Sequence, residues 1–455
     1  MADEKSNKMG TMPMLKLILN MSLPAMFSML IMSLYNIVDS IFVSQISGDA
    51  LTSVSLAYPM QMMIVAFSVG TGVGANSLIS RRLGERKQDE ANLAAAHGIV
   101  LAVATWIIFV IAGLFLSGPF IKMCSSPSTS DVIIKDAKTY LTIVMVFSIG
   151  AFYATSVEKI VQATGNMFYP MMFQLIGAIS NIILDPIFIF GYFGIPKMGV
   201  AGAATATVIG QIISAVYAYY VVKRKDFHVS FSFKNFKLDF KIIKNIYQVG
   251  IPAILMQSIA SVLTTFLNMI LITLSEVAVA VLGIYFKLQS FVFMPVFGLN
   301  QGVMPIMGYN FGARNKMRLM DCYKKAILIA LIIMIVGTVL FMTIPHILLS
   351  IFNANKEMME IGIPALRIIC INFIPAALGI MSSTLFQAVG KGTYSLCVSV
   401  LRQLVIILPV AYYLSQFGVS ATWLAFPIAE ILSLIVCIGL VINLYNTRIK
   451  TLQEA

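Results

Sequence analysis

The strongest constraint on this chain is an apolar run long enough to cross a lipid bilayer, repeated about twelve times at about 20 or more residues each. The runs fall near 15–45, 51–80, 91–117, 133–157, 168–192, 198–222, 242–272, 276–307, 319–343, 357–384, 393–414 and 418–443. Backbone groups in lipid must be satisfied internally, which leaves helices or a closed barrel. Continuous apolar runs, rather than short alternating ones, exclude the barrel. Composition agrees: 59% of residues are hydrophobic and only 11% are charged, against about 25% charged in soluble domains. The expected fold is an all-α polytopic membrane protein, with about twelve spanning helices in two six-helix bundles.

The net charge of +12 is a matter of topology. With loops assigned alternately to two sides, most of the 31 Lys and Arg residues fall on one of them. That side carries RRLGERK (81–87), Lys159, the 223–244 stretch, 314–325 and the tail, whereas Lys122, Lys135, Lys138, Lys197 and Lys356 fall on the other. The positive-inside rule then places both termini in the cytoplasm. No nucleic-acid role is expected. The polar start MADEKSNKMG leads into an apolar segment too long for a signal-peptide core, read as the first span. Cys124, Cys322, Cys370, Cys397 and Cys437 form no CxxC, so neither a disulfide framework nor a zinc site is suggested. His97, His228 and His346 are far apart and read as packing or loop residues.

The chain repeats itself. SLPA (22–25) and GIPA (250–253) each open a long apolar segment, and Gly84 and Gly312 follow at the same offset as Pro24 and Pro252. VQATGN (161–166) parallels the stretch beginning at Gln387, and ILDP (183–186) parallels IILP (406–409). The expected organisation is an N-terminal lobe (1–222), a cytoplasmic linker (223–241) and a C-terminal lobe (242–455). Six segments per half is even, so the repeats run parallel, related by a pseudo-two-fold axis along the membrane normal. The linker, which alternates Phe with Lys, is expected to lie on the anionic membrane surface or to be an ordinary solvated loop. Repeated bundles are how many secondary transporters are built. No TVGYG-like filter is present, and QAVGKGTYS lacks the order of a P-loop. Neither a nucleotide nor enzymatic catalysis is expected.

Ionisable groups inside spans are expensive and mark function. Gln174, Ala178, Asn181 and Asp185 share one helix face, and Pro186 cannot donate to the carbonyl of Ile182. Ser28, Met32, Tyr35 and Asp39 form a second stripe, with Asn36 and Ser40 beside it and Pro24 as a candidate hinge. Carboxylate, amide and carbonyl oxygens are hard donors suited to a proton or a small cation. Asp39, Asp185, Asn181 and Tyr35 are therefore the candidate cation-coupling residues, with Asp39, Asn181 and Asp185 suited to Na+; Thr207 in GVAGAATATVIG is a further candidate, against the alternative of ordinary small-xxx-small helix packing. The alternative for each acid is a plain hydrogen bond to a neighbouring helix. Asn36, Gln61, Gln174, Gln257 and Asn268 are candidate polar residues of a cavity. The second half departs from the first: its matching stripe is Gln257, Ser261, Thr264 and Asn268, and Leu408 precedes Pro409. Its own charges, Lys287, Arg402 and Glu430, are read as a structural ion-pair network. The 29 methionines suit an adaptable apolar cavity and equally plain core packing.

The two six-helix halves, the Pro24–Tyr35–Asp39 spacing, RRLGERK and NIILDP (181–186) resemble the multidrug and toxic compound extrusion (MATE) transporters over essentially the whole chain. NIILDPIFIFG followed by GVAGAATAT resembles the bacterial MepA/DinF-like branch. The resemblance implies export of lipophilic, often cationic drugs in exchange for Na+ or H+ by alternating access, with no cofactor beyond that ion. It implies that Pro24, Tyr35, Asp39, Asn181, Asp185 and Thr207 form the N-lobe cation site and bendable first helix. It further implies a multi-pass protein of a bacterial plasma membrane, expected to be a monomer. Residues 250–268 hold no Asp or Glu, so the seventh-helix acid of some NorM-type members has no counterpart. A lipid-linked precursor flippase of the same superfamily, and a channel or sensor, are the rival readings.

Overall fold

A computed structural model describes residues 7–126, 129–231, 236–352 and 354–452. Among the described residues the regular structure is helical, and eleven helices are long and apolar enough to cross a membrane; a bent pair raises the number to twelve. In order they are Met14–Ser44, Gly48–Gly84, Gln88–Phe115, the pair Asp131–Val146 and Ile149–Ala163, Phe168–Phe190, Val200–Arg224, Phe240–Ile272, Glu276–Gly312, Lys316–Thr343, Lys356–Ala388, Gly392–Ser415 and Val419–Ile449. They are called the first to twelfth spans below. The protein is a multi-pass membrane protein, as the apolar runs require.

The fourth span, expected to be one helix near 133–157, is bent by 45° between Val146 and Ile149. Two side chains take the carbonyls that a continuous helix would need. Ser148 Oγ donates to Met145 O at 2.7 Å, and Trp106 Nε1 donates to Val146 O at 3.0 Å. Competition of this kind is a recognised cause of helix kinks. Its counterpart in the second half, the tenth span, carries a milder break, a 3₁₀ turn at Cys370–Asn372. The eleventh span widens into a π-turn at Leu401–Ile406 before Pro409.

The internal repeat extends to backbone conformation. Arg86 and Arg314, at matching turns, are both left-handed with φ 58°. That conformation costs a non-glycine residue about 1–2 kcal/mol, so both turns carry the same strain. Gly165 and Gly390 match in the same way, at φ 90° and 81°.

Packing draws its boundaries differently from the sequence lobes. One compact unit comprises Met1–Met26, Gly84–Arg86 and Leu255–Ala455; the other comprises Phe27–Leu83 and Lys87–Ile254. Glycines explain the exchange. A Cβ on Gly302 or Gly298 would strike the backbone of Ser22 or Met26, and one on Gly74 or Gly70 would strike the backbone of Ile246 or Ile254. Close backbone approach of this type is a standard device of membrane helix packing. Each unit therefore contains the opening of the first helix of the other repeat. The first span changes unit just after Met26 and the seventh just after Ile254, each two residues beyond its proline, Pro24 or Pro252.

The linker departs from the membrane-surface reading. Phe227 and Val229 are buried within the protein. Phe227 joins Val157, Val161, Phe173, Ala218 and Val221 in an apolar cluster that Phe231 also packs against. Polar contacts fasten it further: Gln88 Nε2 donates to His228 O at 2.6 Å, and Ser230 N donates to Asn92 Oδ1 at 2.8 Å. His97 is fully buried; its Nε2 accepts from Asp239 N at 2.9 Å, so its protonated Nδ1 faces Leu93 O at 2.8 Å. Phe227, Phe231 and Phe236 of the alternating stretch pack against protein. Lys234 lies outside the described residues.

Candidate functional site

The fifth and sixth spans meet through small residues. A Cβ on Gly210 would lie 3.0 Å from Gly177 O and 3.2 Å from Asn181 Cβ, and Ser214 Oγ donates to Phe173 O at 2.7 Å. This close approach places Asn181 against Thr207, both almost fully buried. The hydrogen bonds orient the Asn181 amide: Nδ2 donates to Asp185 Oδ2 at 2.8 Å, and its oxygen accepts from Thr207 N at 2.9 Å and Thr207 Oγ1 at 3.2 Å. Asp185 is completely buried. The i,i+4 stripe read from the sequence is thus a connected row of polar contacts.

The first span completes the group. Asp39 and Asp185 lie within electrostatic reach of each other, and Tyr35 lies beside Thr207 within reach of both acids. One oxygen of each acid, Asp39 Oδ1 and Asp185 Oδ1, is buried without a partner. Two carboxylates this close in a membrane interior repel unless a proton or cation lies between them. The donor set of carboxylate, amide and hydroxyl oxygens is hard and fits an alkali cation as well as a proton.

A residue that the sequence did not single out also belongs here. Tyr140, on the fourth span, is buried within electrostatic reach of both acids, and its hydroxyl faces Gln61 Oε1 at 3.5 Å. In KTYLT it looks like any core aromatic, and nothing in its spacing marks it. Gln61 thereby joins the site through Tyr140. Gln174 lies on the Asn181 face with its amide oxygen buried and unpartnered. Asn36 and Gln257 are exposed and Asn268 is half-buried. Pro24 is inside the first helix, as a hinge requires.

Among the described residues the second half carries no comparable acid pair. Arg402 Nη1 bonds both oxygens of Glu430, at 3.1 and 3.3 Å. Lys287, grouped with them on sequence, is not part of this pair. It is exposed, and its Nζ lies 5.9 Å from the centre of the Phe352 ring. The eighth span turns it away from Glu430, whereas neighbouring Tyr285 faces the pair. Lys159, counted on sequence among the side-marking charges, is also buried. Its Nζ bonds Glu158 Oε1 at 2.9 Å, and Gly72 leaves room for its stem, where a Cβ would sit 2.6 Å from Lys159 Cγ.

The MatE family model matches residues 24–187 and again 252–413, once per repeat. The multidrug export protein MepA of Staphylococcus aureus strain MSSA476 is 27% identical over 433 residues, 94% of each chain. MepA of Staphylococcus haemolyticus is 27% identical over 449 residues, 98% of this chain and 97% of the other. Among solved structures, an outward-facing multidrug resistance MATE family transporter of the MOP superfamily is similar at 26% identity and TM-score 0.91, covering 99% of both chains.

Proposed function

Because the chain belongs to the MatE family, we propose that it is a secondary active multidrug exporter that exchanges lipophilic, mostly cationic compounds for Na+ or H+. It acts as a monomer in a bacterial plasma membrane with both termini in the cytoplasm. The names of its staphylococcal relatives, multidrug export proteins, support the substrate class. The observation that carries the coupling is the approach of Asp39 to Asp185, braced by Asn181, Thr207 and Tyr35.

The chemistry follows from electrostatics. With neither proton nor cation between them, the two carboxylates repel, and Asp39 moves away from the fifth span. A proton or cation on the pair draws Asp39 back, and the first helix moves with it. Pro24 supplies the compliance, since it removes one backbone hydrogen bond and leaves the carbonyl of Asn20 free. The first helix packs with one unit up to Met26 and with the other from Phe27. Motion at Asp39 is thus transmitted across a point where the helix is free to bend. Alternating access results when ion and drug occupy the protein in turn.

The test is drug efflux by Asp39→Asn and Asp185→Asn, each with its membrane level measured. Both are expected to reach the membrane and to lose export. Full efflux by both variants refutes the coupling site. Proteoliposomes given a Na+ gradient and, separately, a pH gradient identify the ion.

A further inference from the structure

The lead-in to the first helix is held by a side chain that the coupling chemistry leaves unused. Before the first span lies a short helical turn, Lys8–Thr11, capped by Asn7 and followed by Met12 in extended backbone. Arg318, in the first turn of the ninth span, reaches across to it. Its Nη2 donates to Met12 O at 2.8 Å and to Met9 O at 3.1 Å. Asn310, buried near the end of the eighth span, donates from Nδ2 to the same Met9 O at 3.1 Å. Arg318 Nε donates to Asn310 Oδ1 at 3.3 Å, and Asn315 Oδ1 accepts from Arg318 N at 3.0 Å. The two donors are thus fixed to each other and to their own helices. Met9 is fully buried, and a Cβ on Gly10 would lie 3.1 Å from Tyr309 Cε1.

The residue type is not the one this position favours. A cation in the first turn of a helix opposes the helix dipole. At the offset that relates Pro24 to Pro252, Asn310 and Arg318 match Arg82 and Glu90. There the acid takes the favoured place, and Arg82 Nε lies 2.9 Å from Glu90 Oε2. The second repeat reverses the charge and turns the guanidinium onto two main-chain carbonyls. The lead-in to the seventh span is held differently, by His97 Nε2 accepting from Asp239 N at 2.9 Å. The guanidinium grip falls on the helix that carries Asp39.

Between this grip and Pro24, the side chains of Met14, Leu17, Ile18 and Met21 are buried. Apolar burial is non-directional and discriminates poorly between axial positions of a helix. Charge-assisted hydrogen bonds to fixed carbonyls set the axial position. We propose that Arg318 is a positioning residue of transport: with Asn310 it anchors the base of the first helix, so that displacement of Asp39 becomes a bend at Pro24 rather than a slide of the whole helix. The proposal rests on the ion-coupled reading of the Asp39–Asp185 pair. Pro24 lies about 15 Å along the helix from Met14, and Asp39 about 22 Å beyond Pro24. A lever of that shape turns only if its short arm is fixed.

The experiment places nitroxide pairs on the full-length protein in proteoliposomes, with the exposed Cys124 and Cys397 changed to serine. Pulsed EPR distances are read at high and low pH, with and without Na+. The pair Leu19→Cys with Leu34→Cys straddles Pro24 and reports bending; Leu19→Cys with Leu328→Cys reports sliding against the ninth span, and all three positions are exposed. With Arg318 in place, the first distance changes with proton or Na+ and the second does not. In Arg318→Gln the first change shrinks about twofold or more, the second distance shifts, and drug export falls about tenfold at unchanged membrane level. Arg318→Lys keeps the charge without the fork and lies between the two. Arg318→Gln that bends as wild type, or that exports fully, overturns the proposal. So do wild-type distances and export in Arg318→Lys, the variant that carries the test if Arg318→Gln does not reach the membrane. Wild-type protein that exports drug while its Leu19–Leu34 distance ignores both ions overturns this inference alone. Asp39→Asn and Asp185→Asn exporting normally would instead overturn the reading beneath it.

Discussion

The Arg402–Glu430 pair gives the sharpest energetic test of the second half. At 3.1 Å and an effective dielectric near 20, the Coulomb attraction is about 5 kcal/mol. That is a ceiling, because Arg402's side chain is 28% exposed while Glu430's is 8% exposed, and solvent screens the exposed partner. A coupling of about 2–4 kcal/mol remains. The asymmetry sets the single-variant costs. Arg402→Met leaves a buried carboxylate unpaired and should cost about 3–5 kcal/mol. Glu430→Leu leaves a guanidinium that solvent partly reaches and should cost about 1–3 kcal/mol. Replacing both should cost about 2–4 kcal/mol, less than the two single costs together, because removing the second charge relieves the penalty that removing the first one left. The assay is unfolding by detergent denaturant of all four proteins, taken as a double-mutant cycle. Additive single costs, with coupling below about 0.5 kcal/mol, would refute the energetic argument. Drug efflux is measured alongside. A stable double variant that exports normally confirms a structural pair, and one that folds but does not export assigns these charges to transport.

Other outcomes follow from single positions. Gly74→Ala forces a methyl into the carbonyl of Ile246 and should cost about 3 kcal/mol or more, whereas Gly283→Ala enters open space and should gain about 0.5–1 kcal/mol; melting temperatures in detergent separate the two. Phe227→Ala empties a buried site in the linker's apolar cluster and should cost about 3 kcal/mol of linker docking, seen as faster proteolysis within 223–241. Thr207→Val removes the hydroxyl beside Asn181 and Tyr35 without unfolding the protein. The concentration of coupling ion giving half-maximal efflux should rise about tenfold, as expected for a supporting residue of an ion site.

Much of the site was legible because helical periodicity is local. Asn181 and Asp185 share a face by their spacing, and the structure ties them through one amide at 2.8 Å. Their expense in a membrane marked them before any fold was known. Tyr140 was illegible for the same reason. It is ordinary on its own helix, and matters only through the helices it meets. Lys287 shares with Arg402 and Glu430 only that it is a charge inside a span of the second half, and that says nothing about which way its helix is turned. The burial of Phe227 in the linker was not legible because Phe–Lys alternation fits a lipid surface, a solvated loop and a protein crevice equally well.

The sequence by itself determined the span number, the two repeats and the acids of the first half, since each follows from hydropathy, offset or spacing along one segment. Only the tertiary structure decided that each packing unit takes in the opening of the other repeat's first helix, and that Asp39 lies within reach of Asp185. The physical reason is that helix contacts are set by where backbones can approach. Glycines such as Gly74, Gly210 and Gly302 permit that approach against partners 29 to 280 positions away. A sequence shows which residues are small, and only the fold shows what comes to rest against them.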